Sequence, residues 1–236
     1  MIVSHAHKFI FLKTKKTAGT SIELALSELC GPDDVITPLT KIDEALRDGK
    51  RGAQNWRLHG WWGSHRPLWK RRWLKFTAED YGFYNHMPAA EARALLADDK
   101  AWRGYFKFAF DRNPWDRQVS WYLYKTKSKR VRPSFEQFMR SRRRAYVNNH
   151  EIYMQDRTLG GGLAVDFVGR YERLEQDLNA ALAKAGVAGC GVAVPRTNVT
   201  PNKDDARDYR SYYSPDTRAL VADWYQPEIA LLGYGF

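Results

Sequence analysis

A short stretch near the start of the chain combines lysine, hydroxyl side chains and a glycine in a way that suits an anion. Its residues are Lys16, Thr17, Ala18, Gly19, Thr20 and Ser21. A helix start offers backbone N–H groups that lack internal partners and carry partial positive charge, and glycine lets the backbone approach a ligand closely. The stretch therefore predicts a phosphate-binding loop. The alternative is an ordinary turn in which a Thr or Ser side chain caps the following helix.

The order of lysine and glycine separates this loop from the common nucleoside-triphosphate loop. That loop has the pattern Gly-x-x-x-x-Gly-Lys-Ser/Thr, with the lysine after the second glycine. Here Lys16 comes before Gly19, which argues against an ordinary ATPase or kinase. A nucleotide or small-molecule kinase with a variant loop stays open as the second enzyme class.

A second candidate anion site follows the mostly apolar segment 105–110. Arg112 stands where that predicted strand ends, and a guanidinium grips a phosphate through two parallel hydrogen bonds. Ser120 lies about two helical turns further on and would add a hydroxyl contact. The alternative for Arg112 is a surface ion pair with Asp111 or Asp116.

His86 is the candidate general base. It stands just before a predicted helix that starts near Pro88, and the positive end of a helix disfavours the imidazolium form. The ordinary pKa of histidine, about 6.5, already suits proton transfer at neutral pH. The alternative is that His86 is a capping or packing residue. Glu91 is the nearest rival carboxylate, but in the following helical turn it would normally be solvated.

The elements that would position these side chains alternate between strand and helix. Apolar runs and helical periodicity predict strands at 8–13, 80–84, 105–111 and 164–169 and helices at 20–30, 88–98, 114–126 and 173–185. This alternation predicts an α/β fold with a mainly parallel sheet flanked by helices. The first strand, loop and helix predict a P-loop-like phosphate-binding unit. Ligands bind at the carboxyl ends of strands in such sheets, where Lys16, His86 and Arg112 all fall.

Proline positions sharpen two of the predicted helices. Asn113 is a favoured N-cap residue and Pro114 suits the first helical position, so the helix at 114–126 is predicted to begin there. Segment 216–232 predicts a C-terminal helix that Pro227 bends or interrupts.

Length and composition predict one domain over residues 1–236, with a Trp/Arg-rich insertion at about 50–76. Cys30 and Cys190 provide neither a disulfide framework nor a metal cluster, and no apolar run of about 18 residues predicts a membrane span. We therefore expect a cytoplasmic, reduced location. The insertion predicts either a satellite core or a surface for stacking on sugar rings, through Trp56, Trp61, Trp62, Trp69 and Trp73.

The formal net charge of +11 demands an acidic partner. Basic clusters lie at 66–75, 125–132 and 140–144. A polyanionic small molecule accounts for part of this charge, and an acidic glycan, nucleic acid or membrane surface would account for the rest. Basic charge interleaved with aromatics is typical of nucleic-acid binding, yet no helix-turn-helix, zinc or ribonucleoprotein signature stands out. A basic nucleic-acid or glycan-binding module is the non-enzyme alternative.

Two segments of the chain resemble motifs of a known enzyme family. Lys16–Ser21 is similar to the 5′-phosphosulfate loop of sulfotransferases, and Arg112–Arg117 with Ser120 is similar to their 3′-phosphate motif. The likeness is greatest to the Golgi-type carbohydrate sulfotransferases and their soluble bacterial relatives, which use 3′-phosphoadenosine 5′-phosphosulfate (PAPS). Segments 169–177 and 212–236 extend the likeness along the chain, whereas the Trp/Arg-rich insertion matches no pattern.

The resemblance implies transfer of a sulfuryl group from PAPS to a hydroxyl of a carbohydrate or glycolipid, leaving PAP. His86 would remove the hydroxyl proton as the oxygen attacks sulfur. Lys16 would stabilise the charge that grows on the departing phosphate oxygen. Lys13 and Lys15 are nearby alternatives, but only Lys16 takes the motif position.

The same resemblance assigns the remaining binding residues and partners. The loop from Thr17 to Ser21 would hold the 5′-phosphate of PAPS, and Arg112 with Ser120 would hold its 3′-phosphate. No metal is required, because positioned donors meet the charge of a loose in-line transfer state. The acceptor bears a hydroxyl and an acidic glycan is one candidate, while no nucleic acid is expected. Since the Golgi enzymes would carry a membrane helix, this chain is expected to be a cytoplasmic, bacterial version.

Overall fold

The computed structural model describes residues 1–47, 51–57, 82–96, 99–155, 161–187, 194–195 and 208–236. Within these ranges the strands are β1 (Ile2–Ser4), β2 (Phe9–Leu12), β3 (Val35–Ile36), β4 (Phe106–Asp111) and β5 (Phe167–Arg170). They form one sheet in the order β3-β1-β2-β4-β5. β2 and β5 each pair with β4 in parallel, whereas β1 is antiparallel to both β2 and β3. Four of these strands therefore share one direction, which confirms the predicted mainly parallel sheet.

Helices connect the strands and cover the sheet. They are α1 (Gly19–Ser27), α2 (Lys41–Glu44), α3 (Ala89–Leu95), α4 (Asp99–Gly104), α5 (Pro114–Thr126), α6 (Phe135–Met139), α7 (Arg142–Ala145), α8 (His150–Tyr153), α9 (Leu174–Lys184), α10 (Pro215–Trp224) and α11 (Gln226–Leu232). Single 3-10 turns lie at Ala45–Arg47, Tyr171–Arg173 and Tyr209–Tyr212. None of the helices in the described ranges is both long and apolar enough to cross a membrane.

Alternate side chains of the central strands feed two buried layers, because successive strand residues point to opposite faces. Phe9 and Phe11 pack on one face with residues of α1 and α9, while Ile10 and Leu12 pack on the other with residues of α3. A third cluster joins α5 and α6 to the C-terminal helices through aromatic side chains. The sheet is thus covered on both faces, and its edge of carboxyl strand ends is where β2 and β4 lead into loops.

The predicted strand at 80–84 is wrong over the residues described there. Gly82 makes only an isolated bridge to Arg57, and no ladder continues from it. A Cβ at Gly82 would lie 1.8 Å from the carbonyl oxygen of Trp56, so the chain crosses this backbone closely instead of running beside a strand. It then turns at His86, whose φ is 62°.

The other predicted elements match the structure within a few residues at their ends. The C-terminal helix is interrupted as expected, since α10 ends at Trp224 and Pro227 lies in the first turn of α11. Of the Trp/Arg-rich insertion, only residues 51–57 are described, and Trp56 packs partly buried against the layer that contains Ile10. The other four tryptophans and the basic cluster at 66–75 lie outside the described residues, as does Cys190.

Candidate active site

The loop between β2 and α1 has an unusual backbone. Lys16 and Ala18 have φ values of 63° and 58°, in the left-handed region that non-glycine residues rarely adopt. Ala18 is the N-cap residue of α1, and no side chain caps the first turn of that helix. The interpretation in which Thr or Ser caps the helix is therefore wrong. The first N–H groups of α1 point out of the loop without a side-chain cap, as an anion site requires.

Gly19 is required by close packing at the helix start. A Cβ there would lie 2.7 Å from Cγ of Lys13, so the buried lysine stem occupies the space that a side chain would need. The Lys13 ammonium is paired with Glu23 of α1, and both side chains are almost fully buried. Lys13 therefore has its charge compensated inside the fold, which separates it from the lysines of the loop.

Lys16 extends from the loop to an aromatic ring of α5. Its Nζ lies 4.5 Å from the ring centroid of Tyr124, an exposed residue of α5. Burial, followed by the charges of Arg112 and Lys127, lowers the pKa of Lys16 to about 8. Lys16 therefore loses its proton more readily than an ordinary lysine. Negative charge brought next to its ammonium group would be stabilised by it.

Arg112 follows β4 directly and reaches the same loop. Its Nε and Nη2 donate to the two carboxylate oxygens of Asp116 at 2.7 and 2.8 Å, and Nη1 donates to the carbonyl of Lys16 at 3.4 Å. Its guanidinium lies 4.1 Å from the ring centroid of Tyr171. The ion pair with Asp116 that the sequence left open is present. A guanidinium carries five N–H groups, and these contacts use three of them.

His86 comes to the start of the loop although the described residues just before it, 82–85, form no strand. Its Nδ1 lies 3.1 Å from the carbonyl oxygen of Lys13, the residue directly after β2. Because a carbonyl only accepts, Nδ1 carries the proton in this contact and Nε2 is left as the basic nitrogen. Burial and then the charge of Lys13 lower the pKa of His86 to about 4. The ring is therefore neutral at pH 7, through burial and lysine charge more than through the short helix that follows.

The hydroxyl side chains divide into structural and accessible groups. Thr17 is fully buried, and its Oγ1 lies 2.7 Å from Oγ1 of Thr14, which donates to the carbonyl of Phe110 in β4. Thr20 is half-buried at the start of α1, whereas Ser21 is buried. Ser120 is half-buried on α5, one turn before Tyr124 on the same face. The structure thus brings Lys16, Arg112 and the loop directly together.

Three further residues of the site were not among the sequence candidates. Tyr124 could have been found from its i, i+4 spacing to Ser120, and Tyr171 from its position just after the strand beside β4. Asn149 bonds to the backbone of Lys15, and no local pattern marks it. Across the described part of the chain, no group of three or more His, Cys, Asp or Glu side chains is placed to hold a metal ion.

A network of buried charges lies beneath the loop. Arg117, fully buried, donates to Asp111 of β4 at 2.5 Å and to Glu228 of α11 at 2.9 Å. Tyr153 donates to the other oxygen of Asp111 at 2.8 Å. These groups join the end of β4, helix α5 and the C-terminal helix into one rigid base for the site.

Comparison with known proteins gives three findings. Residues 1–235 match the model of the family described as the sulfotransferase family. The chain is 38% identical over 102 residues to an uncharacterized protein of Archaeoglobus fulgidus, a match that covers 43% of this chain and 83% of that protein. It also aligns with the crystal structure of a sulfotransferase from Alicyclobacillus acidocaldarius at 19% identity and a TM-score of 0.43, over 97% of this chain and 96% of that one.

Proposed function

The chain belongs to the sulfotransferase family, and from that premise we propose that it moves a sulfuryl group from PAPS to a hydroxyl of an acidic glycan. The observation that supports this most directly is the uncapped loop of Lys16 and Ala18 with Arg112 beside it. Both lie at the carboxyl ends of β2 and β4, adjacent parallel strands, which is where ligands bind in sheets of this kind. Two cationic groups at one sheet edge suit a donor with two separate phosphates.

The donor would lie across the loop with its 5′-phosphosulfate at the start of α1. The backbone N–H groups from Thr17 to Ser21 would hold the 5′-phosphate. Arg112 keeps two N–H groups beyond those used by Asp116 and Lys16, and these would hold the 3′-phosphate together with the Ser120 hydroxyl.

In the transfer step the acceptor oxygen attacks sulfur from the side opposite the phosphate. The new oxygen–sulfur bond forms as the bond from sulfur to the 5′-phosphate oxygen breaks, and PAP leaves. Nε2 of His86 takes the acceptor proton, because Nδ1 already donates to Lys13. The Lys16 ammonium neutralises the charge that develops on the leaving oxygen.

The choice of an acidic acceptor rests on the charge beside the site. Residues 125–144 contain a single acidic residue, Glu136, among nine basic ones. The basic members, here called the basic face, are Lys125, Lys127, Lys129, Arg130, Arg132, Arg140, Arg142, Arg143 and Arg144. A surface of this charge concentrates an anionic substrate and speeds its association.

The basic face is continuous with the reacting centre. Lys127 shares the Tyr124 ring with Lys16, its Nζ lying 4.8 Å from the centroid. Tyr124 stacks on Trp121 at 5.7 Å, and the indole N–H of Trp121 donates to the carbonyl of Arg144 at 3.0 Å. The exposed Tyr124 and the half-buried Trp121 offer flat surfaces for sugar rings, and the cations around them offer charges for carboxylate or sulfate groups.

Calorimetric titration with PAP and with ATP tests the donor, and a radiolabelled transfer assay tests the acceptor. We expect PAP to bind at least about tenfold more tightly than ATP, a difference of about 1.4 kcal/mol. We expect label to pass from PAPS to acidic polysaccharides and not to neutral ones of the same sugar length. Tighter binding of ATP with magnesium-dependent turnover would favour the kinase alternative, and PAP binding without transfer to any acceptor would favour a binding module.

A further inference from the structure

The left-handed residues of the loop need support from outside the loop. A non-glycine residue in this region of backbone space persists only where the surrounding structure holds it, and such residues cluster at functional sites. Lys16 and Ala18 both adopt this conformation, one on each side of Thr17. The N–H of Ile22 in α1 donates to the carbonyl of Ala18 and Arg112 donates to the carbonyl of Lys16, but neither of these bonds holds Lys15, the residue before them.

Asn149 supplies a two-point contact to the loop from a distant part of the chain. Its Oδ1 accepts from the N–H of Lys15 at 2.8 Å, and its Nδ2 donates to the carbonyl of Lys15 at 3.0 Å. Both backbone groups of the residue before Lys16 are therefore bonded by one side chain. Asn149 is fully buried, so these bonds do not compete with bulk water at the Asn149 amide.

The side chain of Asn149 makes this contact instead of capping the helix that follows it. Asn149 is the N-cap residue of α8, a position where asparagine normally bonds the first turn, yet its side chain makes no such cap. Instead Asn148 accepts from the N–H of Glu151 at 3.2 Å. Of these two adjacent asparagines, Asn148 therefore bonds the helix and Asn149 bonds the loop.

The buried network determines which way the Asn149 amide faces. Nδ2 also donates to Asp111 at 3.2 Å, and the same oxygen of Asp111 accepts from Arg117 and from the backbone N–H of Arg112. A flipped amide would turn its oxygen toward this carboxylate and toward the Lys15 carbonyl, which are both acceptors. The oxygen of Asn149 therefore stays directed at the Lys15 N–H.

We propose that Asn149 is a positioning residue of the loop, holding Lys15 so that Lys16 and Ala18 keep the left-handed conformation that exposes the donor site. This inference rests on the proposed function in one respect, namely that the loop binds the donor. Its mechanical part concerns the ligand-free protein alone. The two parts are therefore tested by different measurements.

Asn149→Ala is the first test, with Asn148→Ala as the matched control. Hydrogen exchange of the loop amides in the ligand-free protein should accelerate in Asn149→Ala and stay at the wild-type rate in the control. PAP affinity should fall by about 10- to 100-fold, the effect expected of a displaced binding group, while the control stays within about twofold of wild type. Unchanged loop exchange in a folded Asn149→Ala protein would overturn the positioning role. If loop exchange accelerates in Asn149→Ala but the wild-type protein does not bind PAP, only the assignment of the loop as the donor site would be overturned.

Asn149→Asp adds a readout that loss of stability alone would not produce. The introduced carboxylate would face Asp111 and the Lys15 carbonyl, so it should weaken PAP binding at neutral pH. Two carboxylates so close share a proton readily, and protonation restores a donor toward Lys15. The PAP affinity of this variant relative to wild type should therefore recover as the pH is lowered from about 8 to about 5. A ratio that stays constant over this range would contradict the proposal.

Discussion

At the scale of single residues, Lys16 differs from Lys13 and Lys15 through its surroundings. Lys13 is paired with buried Glu23, and Lys15 is anchored through its backbone by Asn149. Lys16 instead stands over Tyr124, and burial, followed by the positive charges of Arg112 and Lys127, lowers its pKa. Charge added at this point by a leaving phosphate oxygen would be stabilised by an ammonium that has no close carboxylate among the described contacts.

Lys16→Ala should lower kcat by about 100- to 1000-fold, the usual cost of losing a group that stabilises charge in the transition state. PAP affinity should change much less, because the backbone N–H groups of the loop remain. Steady-state kinetics and calorimetry separate the two effects. Full activity in Lys16→Ala, together with loss in Lys15→Ala, would move the assignment to Lys15.

Lys16 and His86 together predict a bell-shaped pH profile for kcat/KM, which reports ionisations of the free protein. The rate should rise as His86 loses its proton near pH 4 and fall as Lys16 loses its proton near pH 8. His86→Ala should remove the acid limb and lower the rate by about 100- to 10,000-fold. Lys16→Arg should move the alkaline limb upward, since a guanidinium stays charged. If His86→Ala keeps the rate and acid limb, the histidine is a packing residue.

Arg112→Ala tests recognition of the 3′-phosphate. Its guanidinium keeps two N–H groups beyond its contacts with Asp116 and Lys16. Removing them should abolish most of the preference for PAPS over the analogue without a 3′-phosphate. Competition binding with the two nucleotides gives the ratio directly. A variant that discriminates as strongly as wild type would reduce Arg112 to the ion-pair partner of Asp116.

At the scale of elements, the contact of β5 with β4 depends on a glycine. Gly169 pairs with Phe110 in the register of these strands, and a Cβ at Gly169 would lie 2.5 Å from Cε1 of the Phe110 ring. Phe110 is fully buried, so its ring cannot move aside without disturbing the layer beneath α1 and α9. Because Gly169 has no side chain, the Phe110 ring can pack against β5. Phe110 belongs to β4, the strand that leads into Arg112.

Gly169→Ala should lower the free energy of unfolding by about 1–3 kcal/mol, the usual cost of overpacking a core. Gly104→Ala is the matched control, because a Cβ there meets nothing within 4 Å, and it should stay within about 0.5 kcal/mol of wild type. Urea denaturation measures both. Equal stability of the two variants would mean that Phe110 repacks without cost.

At the scale of the whole molecule, the net charge is +11, and its cations are paired with carboxylates to different extents in different regions. The basic face adjoins Lys16 through Tyr124 and Trp121, whereas cations elsewhere are often paired, as Arg103 is with Asp99. Arg103 belongs to α4, which precedes β4 and so lies at the opposite end of that strand from the site. The excess charge that the chain presents near the reacting centre suits attraction of an anionic acceptor.

Salt should weaken the acceptor interaction through this face. We expect KM for an acidic glycan to rise as ionic strength increases, because exposed charges are screened beyond about 8–10 Å. The double variant Arg143→Ala with Arg144→Ala should raise that KM and flatten its salt dependence, while Arg103→Ala should leave both unchanged. A salt-independent KM in the wild-type protein would exclude the basic face from acceptor binding.

The sequence by itself determined the local parts of this protein. A lysine-rich turn after one short apolar run predicted the loop, and the end of a second apolar run predicted the position of Arg112. Asn113 with Pro114 marked the start of α5, where Asn113 does accept from the N–H groups of Trp115 and Asp116. Pro227 marked the break before α11. These features depend on residues a few positions apart, whose periodicity, caps and missing N–H groups act within one or two turns.

Only the tertiary structure decided how these parts meet. Lys15 and Asn149 are separated by 134 positions, and Arg112 and Lys16 by 96, so no local pattern links them. His86 was assigned to the end of a strand that does not form over the described residues 82–84, yet it reaches the loop through the carbonyl of Lys13. Packing around the sheet decides which charges pair, which ring lies beneath Lys16 and which amide holds the loop. That packing is a property of the whole chain, because each such contact requires the positions of several elements at once.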